Sequence, residues 1–246
     1  MRASGLDDGD TVPAVLYLHG GAYVEEITPF HWDFLAKIAK KTGIEIWVPI
    51  YPLAPVHTYM ETFSLLENTY KKMLSNHSAG DITFMGDSAG GGLAVALCQS
   101  LPELDFPQPK QLILFSPWID ATMTNPNISQ FADVDPMLNS DILVGAAQRW
   151  AGEETGLIGD SLPLTSKLWD WRISPIYGEL SLLPRVELYA GTREILLPDI
   201  LRFNSLLREA GVGSTLHIGH GCNHVYPLFP TPEAKSAIKE ICEMLK

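Results

Sequence analysis

The sequence predicts an α/β fold in which helices cover both faces of a mainly parallel β-sheet. Short, almost continuously apolar runs alternate with segments of helical period along the 246 residues. Such runs are typical of strands that are buried on both faces of a parallel sheet. Apolar residues make up 46% of the chain and charged residues 19%, which excludes an intrinsically disordered protein. Because there is no internal repeat or low-complexity tract, we expect one domain over residues 1–246.

Six apolar runs are predicted to form the strands: Ala14–Leu18, Glu45–Ile50, Asp81–Met85, Gln111–Phe115, Arg185–Tyr189 and Ser214–Ile218. The helices are predicted between and after them: His31–Thr42, Thr58–Ser75, Ser88–Leu101, Ser140–Ala151, Asp199–Ala210 and Pro232–Leu245. Gly211 stands where the fifth helix should end, because glycine commonly follows the last helical residue. Thr231 and Pro232 are residue types that begin a helix, as the sixth requires.

The connection 118–183 is unusually long for a compact α/β domain and carries one clear helical segment. It contains four of the six tryptophans, Trp118, Trp150, Trp169 and Trp171. A connection of this length is usually functional, such as a lid or a binding wall. A surface excursion packed by its own aromatic residues is an equally good interpretation.

Charge and composition exclude several classes of function. With 29 acidic and 17 basic residues the net charge is −12, whereas nucleic acid and anionic membranes are bound by clustered Lys and Arg. No apolar run approaches the ~20 residues of a membrane helix, and the acidic segment Met1–Asp8 is no signal peptide. Cys98, Cys222 and Cys242 are too few and too far apart for a disulfide framework or a zinc site. We therefore predict a cytoplasmic protein without nucleic-acid or membrane partners.

The pentapeptide Gly86-Asp87-Ser88-Ala89-Gly90 matches the pattern G-x-S-x-G between a predicted strand and a predicted helix. A sharp turn at this place lifts a serine hydroxyl clear of the sheet, and the flanking glycines permit the strained backbone. The pattern therefore indicates a nucleophilic serine, Ser88. Asp87 beside it is expected to have an orienting role.

A second motif, His19-Gly20-Gly21-Ala22, follows the first predicted strand directly. In acyl transfer the tetrahedral intermediate carries an oxyanion, which needs preorganised N–H donors. Small residues after a strand let backbone amides turn toward such a group. We predict the amides of Gly20, Gly21 and Ala89 as the donors, and His19 as a brace of its loop.

These blocks together resemble the α/β-hydrolases of the hormone-sensitive-lipase-like esterase and lipase family. The blocks are HGGAY from His19, YPLAP from Tyr51, GDSAGG from Gly86, GTREILLPD from Gly191 and NHVYPLF from Asn223. The resemblance covers nearly the whole chain from about Val12. It implies an α/β-hydrolase fold and hydrolysis of carboxylic esters with short or medium acyl chains. It further implies a Ser–acid–His triad that needs neither cofactor nor metal.

The triad acid is then expected after the serine and before the histidine. Glu194 stands where the family has the aspartate of a G-x-x-D pattern, and this departure makes its geometry less certain. Asp199, five residues further on, is the alternative.

His224 is predicted as the general base, because it follows the last strand and precedes the C-terminal helix. His220 is an alternative base. The spacing of His217, His220 and His224 could also provide metal ligands on a helix, although Gly219 and Gly221 argue against a helix there.

Only about 13 residues precede the first predicted strand, where family members carry two antiparallel strands and a helical cap. The resemblance therefore implies that both features are reduced or absent. The strand Glu45–Ile50 would then form an apolar sheet edge, which is prone to association. We expect either a homo-oligomer that covers this edge or a sequence truncated at its N-terminus.

The sequence thus predicts a serine hydrolase that cleaves small-molecule esters through an acyl-enzyme on Ser88. An amidase or arylformamidase would use the same residues. A catalytically inactive binding protein on the hydrolase scaffold is the alternative from another class, because fold does not determine function.

Overall fold

A computed structural model describes residues 13–156 and 162–246. Six strands form one sheet in the order β2-β1-β3-β4-β5-β6, and every neighbouring pair is parallel. The strands are β1 (Ala14–Leu18), β2 (Glu45–Trp47), β3 (Ile82–Asp87), β4 (Gln111–Phe115), β5 (Arg185–Arg193) and β6 (Ser214–Asn223). The predicted parallel α/β fold is therefore confirmed.

In the described parts of the chain, six α-helices cover the two faces of this sheet. They are α1 (Pro29–Thr42), α2 (Tyr59–Leu74), α3 (Ala89–Ser100), α4 (Ser140–Ala151), α5 (Leu197–Glu209) and α6 (Pro232–Met244). Alternate residues of β1 separate the two cores: Leu16 packs in the cluster formed with α2, α3, α4 and α5, and Tyr17 in the cluster formed with α1 and α6. This follows from the two-residue period of a strand, which sends successive side chains to opposite faces.

Four strands differ from the prediction at their ends. β3 runs from Ile82 to Asp87 instead of from Asp81 to Met85. β2 ends at Trp47 instead of Ile50, because Pro49 has no N–H to offer a sheet ladder. β5 and β6 continue beyond Tyr189 and Ile218 as a paired ribbon with a register shift between Gly191 and Arg193. The glycines in these extensions interrupt the apolar pattern. The prediction from the sequence therefore ended both strands too early.

Within the described residues β2 lies at one end of the sheet and pairs only with β1. The assembly state stays a prediction. The segment Met1–Asp8 lies outside the described residues. None of the described helices is both long enough and apolar enough to cross a membrane.

The long connection contains α4 and several short 3₁₀ turns in its described parts, 118–156 and 162–183. Trp118 and Trp150 are buried, whereas Trp169 and Trp171 pack partly exposed against the same core. Its aromatic residues therefore join the main core, which argues against a surface excursion packed only by its own side chains. Its role as a lid or binding wall stays a prediction.

The turn from β3 to α3 is held by very close backbone contact. A Cβ atom added to Gly90 would collide with the carbonyl oxygen of Leu18 and lie 2.5 Å from that of His19. Only glycine lets the first turn of α3 approach the end of β1 this closely. This contact places the loop after β1 beside the turn that contains Ser88.

The substitution Gly90→Ala is expected to destabilise the protein by at least about 2 kcal/mol, because backbone atoms must move to admit the methyl group. Helix propensity alone predicts the opposite sign, since alanine favours a helix over glycine by about 1 kcal/mol. Urea unfolding of both proteins measures the difference. Gly80→Ala is the matched control, because a Cβ atom at Gly80 would meet nothing within 4 Å. Equal stability losses in the two variants would contradict the prediction.

Candidate active site

Ser88 occupies a strained turn between β3 and α3. Its φ of 51° and ψ of −122° lie in a region that a side chain rarely adopts. Ser88 is 7% exposed, and its hydroxyl makes no hydrogen bond to another described residue. The turn therefore presents an uncommitted hydroxyl at the carboxyl end of the central strands, as the G-x-S-x-G pattern predicts.

The backbone of Ser88 is anchored to the chain that leaves β4. The amide of Ser88 donates to the carbonyl of Phe115 at 2.8 Å, and the amide of Trp118 donates to the carbonyl of Ser88 at 2.9 Å. These bonds replace the ladder that ends with β3. They hold the strained conformation by tertiary contact, which is the condition under which such strain persists.

Glu194 and His224 are hydrogen-bonded to each other. Nδ1 of His224 lies 2.7 Å from Oε2 of Glu194, and both side chains are buried. They follow the last residues of the neighbouring strands β5 and β6, so the extended ribbon brings them together. Because the carboxylate only accepts hydrogen bonds, Nδ1 carries the proton and Nε2 is left as the basic nitrogen.

The second oxygen of Glu194 is bound by two further groups. Oε1 accepts the amide of Gly191 at 2.6 Å and the hydroxyl of Ser116 at 2.9 Å. No sequence motif assigns a role to Ser116. The available signal was its position directly after β4, since polar residues at the carboxyl ends of parallel strands commonly face a site.

The amide of Gly20 is already paired, because it donates to Oδ1 of Asp87 at 2.9 Å. A Cβ atom on Gly20 would also lie 3.0 Å from Cβ of Ser88, so glycine is needed for this approach. Among the described residues, no acceptor pairs with the amides of Gly21, Ala22 or Ala89. The loop after β1 thus offers free N–H groups beyond Gly20.

Asp87 is a buried charge that connects several elements. It accepts the hydroxyl of Tyr17 at 2.6 Å, and its Oδ2 lies 3.2 Å from Nε2 of His31. Burial alone would raise the pKa of Asp87, but the hydrogen bonds from His31, Tyr17 and the Gly20 amide outweigh it and hold this pKa below its usual value. The carboxylate is therefore ionised, and it fixes the loop after β1 against the Ser88 turn. From the sequence, His31 is predicted only as the start of a helix, and no pattern indicates this contact.

His19 braces its own loop, as predicted. Nδ1 donates to the Gly20 carbonyl at 2.7 Å, and the ring stacks on Tyr51 at 4.4 Å. The Tyr51 hydroxyl donates to the His19 carbonyl at 2.6 Å. Burial lowers the pKa of His19, which favours the neutral ring.

The alternative acid, Asp199, lies in a different environment. It sits in the first turn of α5 and accepts the side-chain amide of Asn125 at 2.8 Å. Its other oxygen is buried without a hydrogen-bond partner. Burial and the nearby Asp120 carboxylate raise the pKa of Asp199 to about 7. Neither carboxylate oxygen of Asp199 is hydrogen-bonded to His224, whereas Oε2 of Glu194 is.

The other two histidines of the spaced trio lie in other environments than His224. His217 lies 2.9 Å from Glu187 and 3.5 Å from Glu240, and His220 is exposed on the ribbon. All three belong to β6 or follow it, so they do not share a helix face. Across residues 13–156 and 162–246 no cluster of three potential metal ligands occurs.

Aromatic rings pack beside the loop after β1. Tyr23 stacks on Trp150 at 4.4 Å and on Trp118 at 5.6 Å, which ties this loop to the long connection. Phe30 and Trp32 are about half exposed. Trp118 and Trp150 are thus core residues, whereas Phe30 and Trp32 lie at the surface.

Comparison with known proteins identifies the same fold. The family model described as alpha/beta hydrolase fold matches residues 15–228. An esterase of Acinetobacter venetianus is 31% identical over 93% of this chain and 73% of its own length. A triacylglycerol lipase of Mycobacterium tuberculosis is 28% identical over a segment that covers 72% of this chain and 34% of the lipase. A crystal structure of an esterase from the bacterial hormone-sensitive lipase family superposes with a TM-score of 0.84 at 31% identity, covering 95% of this chain and 75% of that one.

The substitution Asp199→Asn is expected to stabilise the protein at pH 8. The raised pKa means that the folded state retains a proton that the unfolded state releases between about pH 4 and pH 7, so stability falls as the pH rises through this window. Asparagine carries no charge and removes this penalty, which is on the order of 4 kcal/mol at pH 8.

Urea unfolding at pH 5 and pH 8 measures the effect, and the gain should shrink to less than half at pH 5. Asp33→Asn on the exposed face of α1 serves as the control. A gain in stability that is the same at both pH values would contradict the prediction.

Proposed function

The chain belongs to the α/β-hydrolase family of hormone-sensitive-lipase-like esterases and lipases, and on that premise we propose that it is a serine hydrolase of carboxylic esters. The substrates proposed are small-molecule esters with short or medium acyl chains. Two relatives at 31% and 28% identity are named as an esterase and a triacylglycerol lipase. Those names support ester chemistry on this chain.

The observations that carry the proposal are the buried, hydrogen-bonded pair of Glu194 and His224 and the strained turn at Ser88. Nδ1 of His224 is bound by the carboxylate at 2.7 Å, so Nε2 is free to take a proton. Ser88 is hydrogen-bonded to Phe115, the last residue of β4, and the segment after His224 is hydrogen-bonded to Ser116, the next residue. An acid, a base and an uncommitted hydroxyl in this arrangement are the groups that acyl transfer needs.

In the proposed acylation step the Ser88 hydroxyl attacks the ester carbonyl carbon while Nε2 of His224 removes its proton. The tetrahedral intermediate collapses when His224 returns this proton to the leaving alkoxide, and the alcohol departs. A water molecule then attacks the acyl-enzyme, again with His224 as base, and the acid is released. Glu194 holds the ring in the required tautomer and stabilises the imidazolium that forms in both steps.

The backbone amides of Gly21, Ala22 and Ala89 are proposed to stabilise the oxyanion. Ala22 replaces Gly20, which the sequence predicted as one of the three donors. Gly20 cannot serve, since its amide is held by Asp87. Ala22 follows Gly21 directly, and its amide has no partner within the described parts of the chain. In this assignment Asp87 and Gly20 support the loop that carries the donors. Preorganised donors of this kind are commonly the largest electrostatic contribution to acyl transfer.

The substitution Ser88→Ala is expected to abolish hydrolysis of a short-chain aryl ester while the protein stays folded, because the attacking oxygen is removed. Turnover should fall by at least about 10³-fold. A fluorophosphonate probe should label the unsubstituted chain at Ser88 and leave the variant unlabelled. Ser100→Ala is the control, since Ser100 is a buried serine whose hydroxyl only bonds its own helix at Leu97.

Undiminished hydrolysis by Ser88→Ala would refute the proposal. Absence of labelling and turnover in the unsubstituted chain would instead indicate a binding protein on this scaffold. Rates on a matched ester and amide separate an esterase from an amidase.

The paired variants Glu194→Gln and Asp199→Asn identify the triad acid. Glu194→Gln is expected to reduce kcat by about 10³-fold or more, because the amide no longer holds His224 in the productive tautomer and charge state. Asp199→Asn should keep kcat within about threefold, as its carboxylate does not contact His224. Steady-state kinetics at pH 8 measures both. The reverse ranking would transfer the role to Asp199.

A further inference from the structure

Ser116 occupies a junction between three strands. It follows β4 directly and is fully buried, and its amide donates to the Tyr189 carbonyl on β5 at 2.6 Å. Its hydroxyl donates to Oε1 of Glu194 at 2.9 Å and accepts the amide of Val225 at 2.9 Å. One hydroxyl therefore binds both the carboxylate of Glu194 and the residue that follows His224.

The hydroxyl of Ser116 limits how the Glu194 carboxylate can rotate. Oε1 is held from two directions, by Ser116 at 2.9 Å and by the amide of Gly191 at 2.6 Å, and this directs Oε2 toward His224. The last torsion of a glutamate is broad and intrinsically weakly restricted. Glutamate also has one more rotatable bond than the aspartate usual at this position. Without Ser116 a single amide would have to set the orientation of the carboxylate.

The same hydroxyl fixes the backbone that carries His224. Val225 has a φ of 49° and Ser116 a φ of 45°, both in the left-handed region that non-glycine residues rarely adopt. Residues in this region need contacts that over-determine their conformation. The bond between the Ser116 hydroxyl and the Val225 amide is such a contact. It fixes the backbone next to His224 and thereby helps to orient the imidazole.

We propose that Ser116 is a positioning residue that sets the geometry of the Glu194–His224 pair and thereby the orientation of His224 toward Ser88. This inference rests on the proposed function. The neighbouring carbonyl of Phe115 accepts the amide of Ser88. The nucleophile, the acid and the segment after the base are therefore all hydrogen-bonded to two consecutive residues, Phe115 at the end of β4 and Ser116 directly after it.

Two substitutions separate the hydroxyl from the backbone. Ser116→Ala removes the hydroxyl and keeps the strained φ, whereas Ser116→Gly removes the same hydroxyl and relieves the strain. We expect kcat to fall at least about tenfold in both variants, with KM changed less than about threefold, because the lost contact orients the base in the transition state. The melting temperature should fall further in Ser116→Ala than in Ser116→Gly. The rate of fluorophosphonate labelling should fall in parallel with kcat.

Ser174→Ala is the matched control. Ser174 is equally buried and its hydroxyl also accepts a backbone amide, that of Ala121 at 2.8 Å, but it does not contact Glu194 or His224. Its loss should lower the melting temperature while leaving kcat within about twofold. This pattern distinguishes positioning of the base from general destabilisation. If Ser116→Ala does not fold, Ser116→Gly provides the same comparison against this control.

A double-mutant cycle with Glu194→Gln tests whether Ser116 acts through the carboxylate. If it does, adding Ser116→Ala to Glu194→Gln should reduce kcat by less than about twofold, since residues that act as a unit are not additive. Unchanged kcat in both Ser116 variants, or a full additive loss in the double variant, would overturn the role of Ser116. Full activity of Ser88→Ala would instead refute the proposed function, so the two failures are distinguishable.

Discussion

The close packing of backbone at the carboxyl ends of the parallel strands is the constraint on which the candidate site depends. Gly90 brings the start of α3 against the end of β1, and Ser88 is bonded to the chain leaving β4. Glu194 and His224 follow the ends of β5 and β6. Parallel strands end on the same side of a sheet, so residues far apart in sequence meet there without any long side chain. Each proposed catalytic group is thus positioned by a strand end, and the strained turns are held by bonds from the neighbouring strand.

A buried carboxylate organises each half of this site. Asp87 binds Tyr17, the Gly20 amide and His31, while Glu194 binds Ser116, the Gly191 amide and His224. Burying a charge costs free energy unless it is hydrogen-bonded, so each carboxylate requires its ring of donors. In both rings a hydroxyl, a backbone amide and an imidazole surround the acid. The first ring fixes the loop after β1, and the second fixes the imidazole proposed as base.

Sequence patterns predicted the fold well where the residues are regular. Six apolar runs and six helical segments occur where expected, because burial on two faces and helical period leave strong signals. The prediction failed at the strand ends. β2 is shorter than predicted because of Pro49. The glycines beyond Tyr189 and Ile218 interrupt the apolar pattern, so the paired extension of β5 and β6 that brings Glu194 to His224 was not predicted. Paired backbones stabilise such a ribbon, and backbone pairing between distant segments leaves no trace in local composition.

The sequence by itself determined the residue types of the candidate site and their order along the chain. Ser88 in its G-x-S-x-G turn, the glycines after β1, and His224 near the end could all be named from local pattern, because sharp turns require particular residues. Only the tertiary structure decided between Glu194 and Asp199 as the partner of His224, removed the Gly20 amide from the available donors, and connected Ser116 and His31 to the two carboxylates. The physical reason is that hydrogen bonds are made over about 3 Å in space. Residues 30 to 78 positions apart reach that distance only when the sheet aligns the ends of its strands.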